Sequence, residues 1–436
     1  MKPCRVPGAQ LRATWRYGLR AGLGAVALAA WVATGAVAQT APGATVESLL
    51  EIARQNNPEL ASMRHEALAA KERVGQADAL PDPRLRLELQ DVTRMGAQNP
   101  TLWPADVGST RYTLTQELPW FGTRDLKKAQ AEYAALGAET TAQGVWVDVA
   151  SRIKLSFAQL YFLSRSQKLS QEILALMQRL EQIAQVRYAA GLAPQQDAIR
   201  AQTEQTAMKA ELIGMQSELR QAQTRLNGLL ARPMQAELAE PQTLRALPVA
   251  DALNAQALEQ RARARNPQLA SDEARVNAAD KGQELAIKGR YPTLMLGIAP
   301  MQFQNDFKTW DLMLEMNIPL WQGTRRAQER ESLAMLEAAR AKRDATANQL
   351  LSDLNENIAA LQSAQQTESL VGNSLLPQAE LTLQAALVGY EAGKVDFATV
   401  LDAQRQIRQA KLSRIKAQAE GQARLAQIER LLGEDL

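Results

Sequence analysis

Residue types that commonly carry chemistry are scarce in this chain of 436 residues. It contains one histidine, His65, and one cysteine, Cys4. A single histidine cannot build the usual histidine-rich metal site, and its polar, helix-like surroundings favour a solvated role. The dipeptide Gly393-Lys394 lacks the rest of a phosphate-binding loop. We therefore predict a protein that is not an enzyme and that holds no resident metal and no cofactor.

Methionine is the remaining residue type with potential chemistry. Thioether sulfur suits Cu(I), so a soft-metal relay is one interpretation of a methionine cluster. Adaptable packing is the other interpretation, and the one that we favour. The clustered residues are Met295, Met301, Met313 and Met316.

The first 38 residues have the pattern of a secretory signal peptide. Five basic residues precede a short apolar run, and Ala36-Val37-Ala38 forms a cleavage site before Gln39. The apolar run of about 14 residues is shorter than the ~20 that span a bilayer. Removing residues 1–38 takes away the cysteine and leaves 45 basic against 47 acidic residues, a net charge of −2. Such a chain is not expected to rely on disulfides or to bind nucleic acid.

The composition beyond residue 38 favours long helices over a thick globular core. Aromatic residues make up only 5% of the chain, whereas Ala, Gln, Leu, Glu and Arg are abundant. No segment beyond residue 38 has 18 consecutive apolar residues, so no transmembrane helix is predicted.

Motifs of the first half return in the second half in the same order. This order predicts two repeats, residues 39–232 and 250–436, joined by a proline-containing linker at 233–249. The recurring motifs are Asn57-Pro58 and Asn266-Pro267, Gly122-Thr123-Arg124 and Gly323-Thr324-Arg325, and Tyr188-Ala-Ala-Gly191 and Tyr390-Glu-Ala-Gly393.

Each repeat contains two runs of alternating apolar and polar residues, which predict strand pairs at 83–118 and 292–318. Leu85, Leu87 and Leu89, for example, alternate with charged or polar residues. The runs are about nine to eleven residues long, the length of a tilted membrane strand. Amphipathic hairpins lying on a soluble core are the alternative, but this chain shows no evident core for them to cover.

A very long helical hairpin is predicted after each strand pair, at 123–230 and at 324–432. The first helix of each hairpin would be about 100 Å long at 1.5 Å per residue. Gly191 and Gly393 stand where such helices end, at the tips of the hairpins. Pro377 lies inside the second long helix and is expected to kink it.

Four strands per chain cannot close a barrel, and open strand edges cost several kcal/mol per unpaired group in lipid. Two copies would give eight strands around a filled interior, whereas three copies would give twelve strands around a lumen. The polar strand face suits a wet lumen and favours three copies. The predicted fold is therefore mainly α with membrane β. Long helical hairpins form an α-barrel, and four strands per chain complete a trimeric 12-stranded β-barrel.

Over essentially its whole length beyond residue 38, the sequence resembles the TolC family of outer-membrane efflux ducts. The resemblance is carried by the run Pro119-Trp-Phe-Gly-Thr-Arg124, by the two Asn-Pro helix starts and by the segment GYEAGKVDFATVLDAQ at 389–404. It implies a homotrimer in the outer membrane with a periplasmic helical extension. It also implies docking to a periplasmic adaptor (a membrane fusion protein) and to an inner-membrane pump. The Pro-Trp-Phe-Gly run is most similar to members that serve heavy-metal pumps of the resistance-nodulation-division class.

The resemblance also implies an iris-like gate at the periplasmic helix tips. Asp197 and Tyr390 match positions that are linked by hydrogen bonds in the closed state, and Asp402 matches an entrance ring that favours cations. Thr399 stands where the family has a second ring acid, and Val395 where it has an arginine of the gate. Helix-start capping, solvation or packing are the alternative roles of these residues. The adaptor-docking tips would be formed by Gly191, Leu192, Gly393 and Lys394.

Six residues are predicted to form the junction between the barrel and the helices. The prolines lack the N–H needed to continue a strand ladder, the glycines permit a sharp turn, and the tryptophans suit a membrane–water boundary. Thr123 and Thr324 are expected to cap the helices that follow. The six residues are Pro119, Trp120, Gly122, Pro319, Trp321 and Gly323.

The function favoured by the sequence is a passive exit duct of a tripartite efflux system. The alternative is a soluble periplasmic adaptor or a secreted coiled-coil structural protein, which the alternating strands disfavour. Metal ions and drugs both remain open as transported substrates.

Overall fold

The computed structural model describes residues 42–436. The predicted signal peptide, residues 1–38, lies outside the described residues. Within the described part, one order of elements occurs twice: two helices, two strands and a long helical hairpin.

The first series ends at a proline-containing segment, and a single 3₁₀ turn, Ala250–Leu253, precedes the second. The elements of the first series are α1 (Val46–Asn56), α2 (Pro58–Asp78), β1 (Arg84–Gln90), β2 (Ser109–Leu118), α3 (Thr123–Ala189) and α4 (Gln195–Leu229). Those of the second are α5 (Ala255–Arg265), α6 (Pro267–Lys288), β3 (Leu294–Phe303), β4 (Asp306–Met316), α7 (Gln322–Leu370), α8 (Leu376–Glu391) and α9 (Phe397–Leu432).

Helices α2 and α6 begin as the Asn-Pro motifs predict. The side chain of Asn57 accepts a hydrogen bond from the Leu60 amide, and that of Asn266 accepts one from the Leu269 amide. Each asparagine also donates to a carbonyl of a distant helix, at Leu229 and Leu431 respectively. The caps therefore start a helix and at the same time fasten it to the end of a long hairpin.

The four strands form one antiparallel sheet in the order β1-β2-β3-β4. Pairing of β2 with β3 joins the two series, with Leu114 opposite Ile298 and Leu118 opposite Leu294. Strands β1 and β4 are the two edges. A sheet of this kind presents unpaired backbone groups along both edges, which invites pairing with further strands.

The register places the alternating apolar residues on one continuous face of the sheet. Leu85 lies opposite Leu114, Leu296 opposite Leu314, and Leu312 opposite Ile298. All six are exposed, and Leu312 reaches 86% exposure. An exposed apolar surface of this extent marks a contact with lipid or with another protein.

The long helices bury their apolar stripes against each other in separate clusters. Near the tips, Leu169, Ile173 and Leu180 of α3 pack with Val400 and Leu401 of α9. Further from the tips, one cluster gathers Ile153 and Phe157 of α3 with α1 and α4, and another gathers α5, α7 and α9. The tip cluster thus holds both hairpins of one chain together.

The second long helix is interrupted near Pro377, as its proline predicts. A single π-helical turn, Val371–Leu375, separates α7 from α8, and Pro377 is in the first turn of α8. The missing proline N–H and its ring are sufficient to disturb the regular hydrogen-bond ladder at this point.

A buried charge cluster ties the two series together away from the tips. Glu429, 3% exposed, accepts from Lys154 at 2.7 Å and from both terminal nitrogens of Arg245 at 3.0 and 2.8 Å. Asp435 also contacts Lys154. Burial opposes the charge of Arg245, but its bonds to Glu429 prevail and raise its pKa. Since Lys154 is on α3 and Arg245 is in the linker, one carboxylate of α9 joins three parts of the chain.

Candidate functional site

The tip of the first hairpin is a tight turn built around Gly191. Its φ of +70° lies in the left-handed region that glycine adopts without strain. The Gly191 amide donates to the Tyr188 carbonyl and the Leu192 amide to the Arg187 carbonyl, which closes the end of α3. Leu192 extends outward and is exposed.

The second tip repeats this geometry at Gly393, whose φ is also +70°. The Lys394 amide donates to the Gly389 carbonyl at 2.8 Å. The returning helix α9 is capped by Asp396, which accepts from both the amide and the hydroxyl of Thr399. The hydroxyl of Thr399 therefore takes part in a helix cap, at the position where the sequence resemblance implied a second ring acid.

The structure brings together the two residues of the predicted gate link. The Tyr390 hydroxyl donates to Asp197 Oδ2 at 3.2 Å, between α8 and α4. Both side chains are buried, with 3% and 8% of their surfaces exposed. Burial, together with the negative charge of Asp197, raises the pKa of Tyr390 to about 12. The phenol is therefore a neutral donor to Asp197 over the whole physiological range.

Two further groups enclose the ring of Tyr390. Phe397 packs against it at 5.3 Å between ring centroids, and the Arg187 guanidinium lies 5.0 Å from its centroid. Arg187 also donates to the Glu391 carbonyl at 2.7 Å. A cation over an aromatic face is an attractive contact. Arg187 thus connects the end of α3 to the second tip.

Sequence reasoning missed Arg187, although the duplication contained a signal for it. Tyr188 and Tyr390 are equivalent in the two repeats, so Arg187 is equivalent to Gly389. A Cβ at Gly389 would lie 3.1 Å from a methyl group of Val395, so a side chain there would be tightly packed and would require Val395 to move. The two repeats therefore differ at this position, because the first has the Arg187 side chain where the second has glycine.

Asp402 does not join the pair of Asp197 and Tyr390. Its side chain is exposed and lies 3.6 Å from Arg405, one turn further along α9. Arg405 also contacts Glu204 of α4, and Arg408 binds Glu211 of α4 at 2.6 Å. These ion pairs, which the sequence did not predict, form a second connection between the two hairpins.

Five of the six predicted junction residues, all except Gly323, lie between the sheet and the helices. Pro119 and Trp120 follow β2, and Pro319 and Trp321 follow β4. Pairing ends before each proline. The indole of Trp120 stacks on Tyr291 at 5.2 Å with an interplanar angle of 8°.

The predictions for the glycines and threonines of the junction are only partly correct. Gly122 is the N-cap of α3 with φ +77°, as a sharp turn requires, but Gly323 lies inside the first turn of α7 without a positive φ. Neither α3 nor α7 has a side-chain cap, so the expected caps by Thr123 and Thr324 are wrong. The left-handed backbone at Gly122 starts α3 by itself, and α7 begins at Gln322, two residues before Thr324.

The methionines are divided between the two faces of the sheet. Met316 lies opposite Leu294 on the apolar face, whereas Met295 lies opposite Glu315 on the polar face. Within residues 42–436, no group of three His, Cys, Asp or Glu side chains is arranged to hold a metal ion. In the same part of the chain, no helix is both long and apolar enough to cross a membrane.

An apolar-faced sheet with open edges, carried by very long paired helices, defines the protomer of a membrane channel. A family model described as outer membrane efflux protein matches residues 49–232 and 258–434. The chain therefore belongs to the outer membrane efflux protein family.

Relatives and solved structures agree with this assignment. The chain is 25% identical over 398 residues to the cobalt-zinc-cadmium resistance protein CzcC of Cupriavidus metallidurans, covering 89% of this chain and 90% of that protein. The outer-membrane channel OprN superimposes with a TM-score of 0.76 at 20% identity, over 89% of each chain. The channel protein CusC gives a TM-score of 0.76 at 19% identity, over 89% of this chain and 92% of CusC.

The family assignment confirms the predicted mainly helical channel fold and the predicted function. The chain is an outer-membrane efflux duct with a periplasmic helical extension. The family assignment argues against the alternative of a soluble adaptor or a secreted coiled-coil structural protein.

Proposed function

We propose that three copies of this chain form a 12-stranded barrel, continued by a tube of helices, that conducts heavy-metal cations passively out of the cell. The observation that carries the proposal is the sheet itself. Its apolar face is continuous and exposed, yet β1 and β4 end it with unpaired edges. Lipid does not tolerate open edges, so the strands of several copies must pair.

Heavy-metal cations are the proposed substrate for two reasons. CzcC, which is similar along most of its length, is named for resistance to cobalt, zinc and cadmium. The polar face of the sheet carries Glu117 and Glu315 on either side of Met295. Carboxylates that face a lumen favour cations over anions.

The proposed partners are a periplasmic adaptor and an inner-membrane pump of the resistance-nodulation-division class. Both tips are compact glycine turns, and Leu192 is exposed at one of them. Gly191, Leu192, Gly393 and Lys394 would form the adaptor-docking surface.

The proposed gate consists of the contacts that hold the two hairpins of each copy together at the tips. The buried bond from Tyr390 to Asp197 is the latch of the closed state, and Asp402 contributes to a ring that attracts cations. Arg405 contacts both Asp402 and Glu204, which supports placing this ring close to the contacts between the two hairpins.

Substrate and assembly can be tested together. The chain would be expressed in a strain that lacks the outer-membrane duct of a metal pump, and tolerance to cobalt, zinc, cadmium and unrelated drugs would be measured. Restored metal tolerance is expected. Restored drug tolerance without metal tolerance would overturn the proposed substrate. A monomer in cross-linking of outer-membrane fractions would overturn the trimer.

A further inference from the structure

A compact cluster of aromatic rings and one lysine spans the junction between the sheet and the helices. Trp120, after β2, stacks on Tyr291, before β3. The ammonium group of Lys288, at the end of α6, lies 5.6 Å from the centroid of the Tyr291 ring. It also lies 3.7 Å from the point that a Cβ at Gly122 would occupy. Both series of elements contribute to this cluster.

The cluster lies directly beyond the end of the apolar face. Leu118 and Leu294 are paired there; Tyr291 precedes Leu294 by three residues, and Trp120 follows Leu118 by two. Phe121, next in the chain, is exposed. Aromatic rings beside an apolar band are typical of the boundary between hydrocarbon and headgroups.

Several cations around Lys288 are paired with carboxylates, whereas Lys288 is not. Arg290 is paired with Glu329, and Arg124 with Asp78. On the same helix, Lys281 binds Glu284 at 2.6 Å. Within residues 42–436, Lys288 forms no ion pair with a carboxylate, and its ammonium group lies near the Tyr291 ring and Gly122. A cation in that position retains its full attraction for an external anion.

We propose that Lys288, Tyr291 and Trp120 form a binding site for the headgroup of an anionic phospholipid. The acyl chains would follow the apolar face of the sheet. The phosphate would meet the Lys288 ammonium, and the rings would occupy the headgroup level. A lysine at this depth can extend its charge to the interface while its stem stays in apolar surroundings.

The site can be tested by native mass spectrometry of the assembled full chain in mixed micelles. The probes are phosphatidylglycerol, phosphatidylcholine with the same acyl chains, and inorganic phosphate. We expect the wild type to retain phosphatidylglycerol in preference to phosphatidylcholine. Lys288→Gln should lower the retention of phosphatidylglycerol about fivefold, which is the effect of removing one cation near an anionic membrane surface.

Two variants serve as controls. Lys288→Arg keeps the charge and should keep the lipid. Lys281→Gln removes a lysine of the same helix, about 10 Å further from the sheet, and should change nothing. Equal retention of phosphatidylglycerol by Lys288→Gln and the wild type would overturn the proposal, and so would equal retention of both lipids by the wild type. Displacement of phosphatidylglycerol by inorganic phosphate would assign the site to a free anion and overturn a lipid as its ligand.

Discussion

The Tyr390 hydroxyl donates a hydrogen bond to the Asp197 carboxylate at 3.2 Å, across 193 positions of the chain. The two residues belong to different repeats and to different hairpins. Since both are buried, neither has water as a ready substitute partner. Separating the hairpins at this point would leave a carboxylate without its donor, and such a loss costs about 1–3 kcal/mol.

Removal of this bond is therefore expected to favour the open channel. In planar bilayers, Asp197→Ala combined with Tyr390→Phe should raise the conductance of the channel without its partners. Tyr390→Phe alone should also raise it, because Asp197 then stays buried without its donor. A shift of about 1.4 kcal/mol would change the ratio of open to closed channels tenfold.

Tyr188→Phe is the matched control for these variants. Tyr188 is the equivalent tyrosine of the first repeat and is exposed, so the control should conduct like the wild type. Unchanged conductance of the double variant would show that the bond is not the latch.

The raised pKa of Tyr390 predicts opening at high pH. Burial and the charge of Asp197 raise this pKa from 10.0 to about 12. Between these two values an exposed phenol loses its proton, whereas the buried phenol keeps it. The bond from Tyr390 to Asp197 therefore stabilises the closed tip fully below pH 10.0, and this stabilisation declines toward about pH 12. Conductance measured from about pH 8 upward should rise in the wild type only in that window. Tyr390→Phe should show no such rise, and a rise near neutral pH would point to another group.

Arg187 is expected to strengthen the latch from the other side of the ring. Arg187→Met keeps an unbranched apolar stem but removes the cation and the bond to the Glu391 carbonyl. A loss of about 1 kcal/mol would raise the open population about fivefold, a smaller change than that of the double variant. Arg179→Gln, at an exposed position of the same helix, should leave conductance unchanged. If Arg187→Met and Arg179→Gln have equal conductance, Arg187 does not strengthen the latch.

Local parts of this fold could be predicted from the sequence because local patterns determine them. Asn57 and Asn266 cap helices through atoms three residues away, and the strand alternation determines which residues share a face. The link of Asp197 to Tyr390 was expected only through the family resemblance. Its contribution to gating is still a proposal.

The rest depends on contacts between distant segments. Nothing near β2 in the sequence indicates that it pairs with β3, and nothing near Arg187 indicates that Tyr390 lies under its guanidinium. The prediction that threonines cap these helices was wrong for a related reason. A left-handed backbone at Gly122 starts α3 without any side-chain cap, so a residue type suited to capping did not act as one.

The carboxylate of Glu429 should matter more for stability than any exposed acid. Glu429→Gln would leave Lys154 and Arg245 close together, with the exposed carboxylate of Asp435 as the remaining negative charge beside them. Breaking a buried ion pair on one side costs about 3–5 kcal/mol, so the midpoint of thermal unfolding should fall clearly. Glu420→Gln is the control, because Glu420 pairs with Arg424 on the exposed surface of the same helix, where such a pair contributes at most about 1 kcal/mol. Equal unfolding midpoints for the two variants would mean that solvent reaches the cluster and that it does not hold α3, the linker and α9 together.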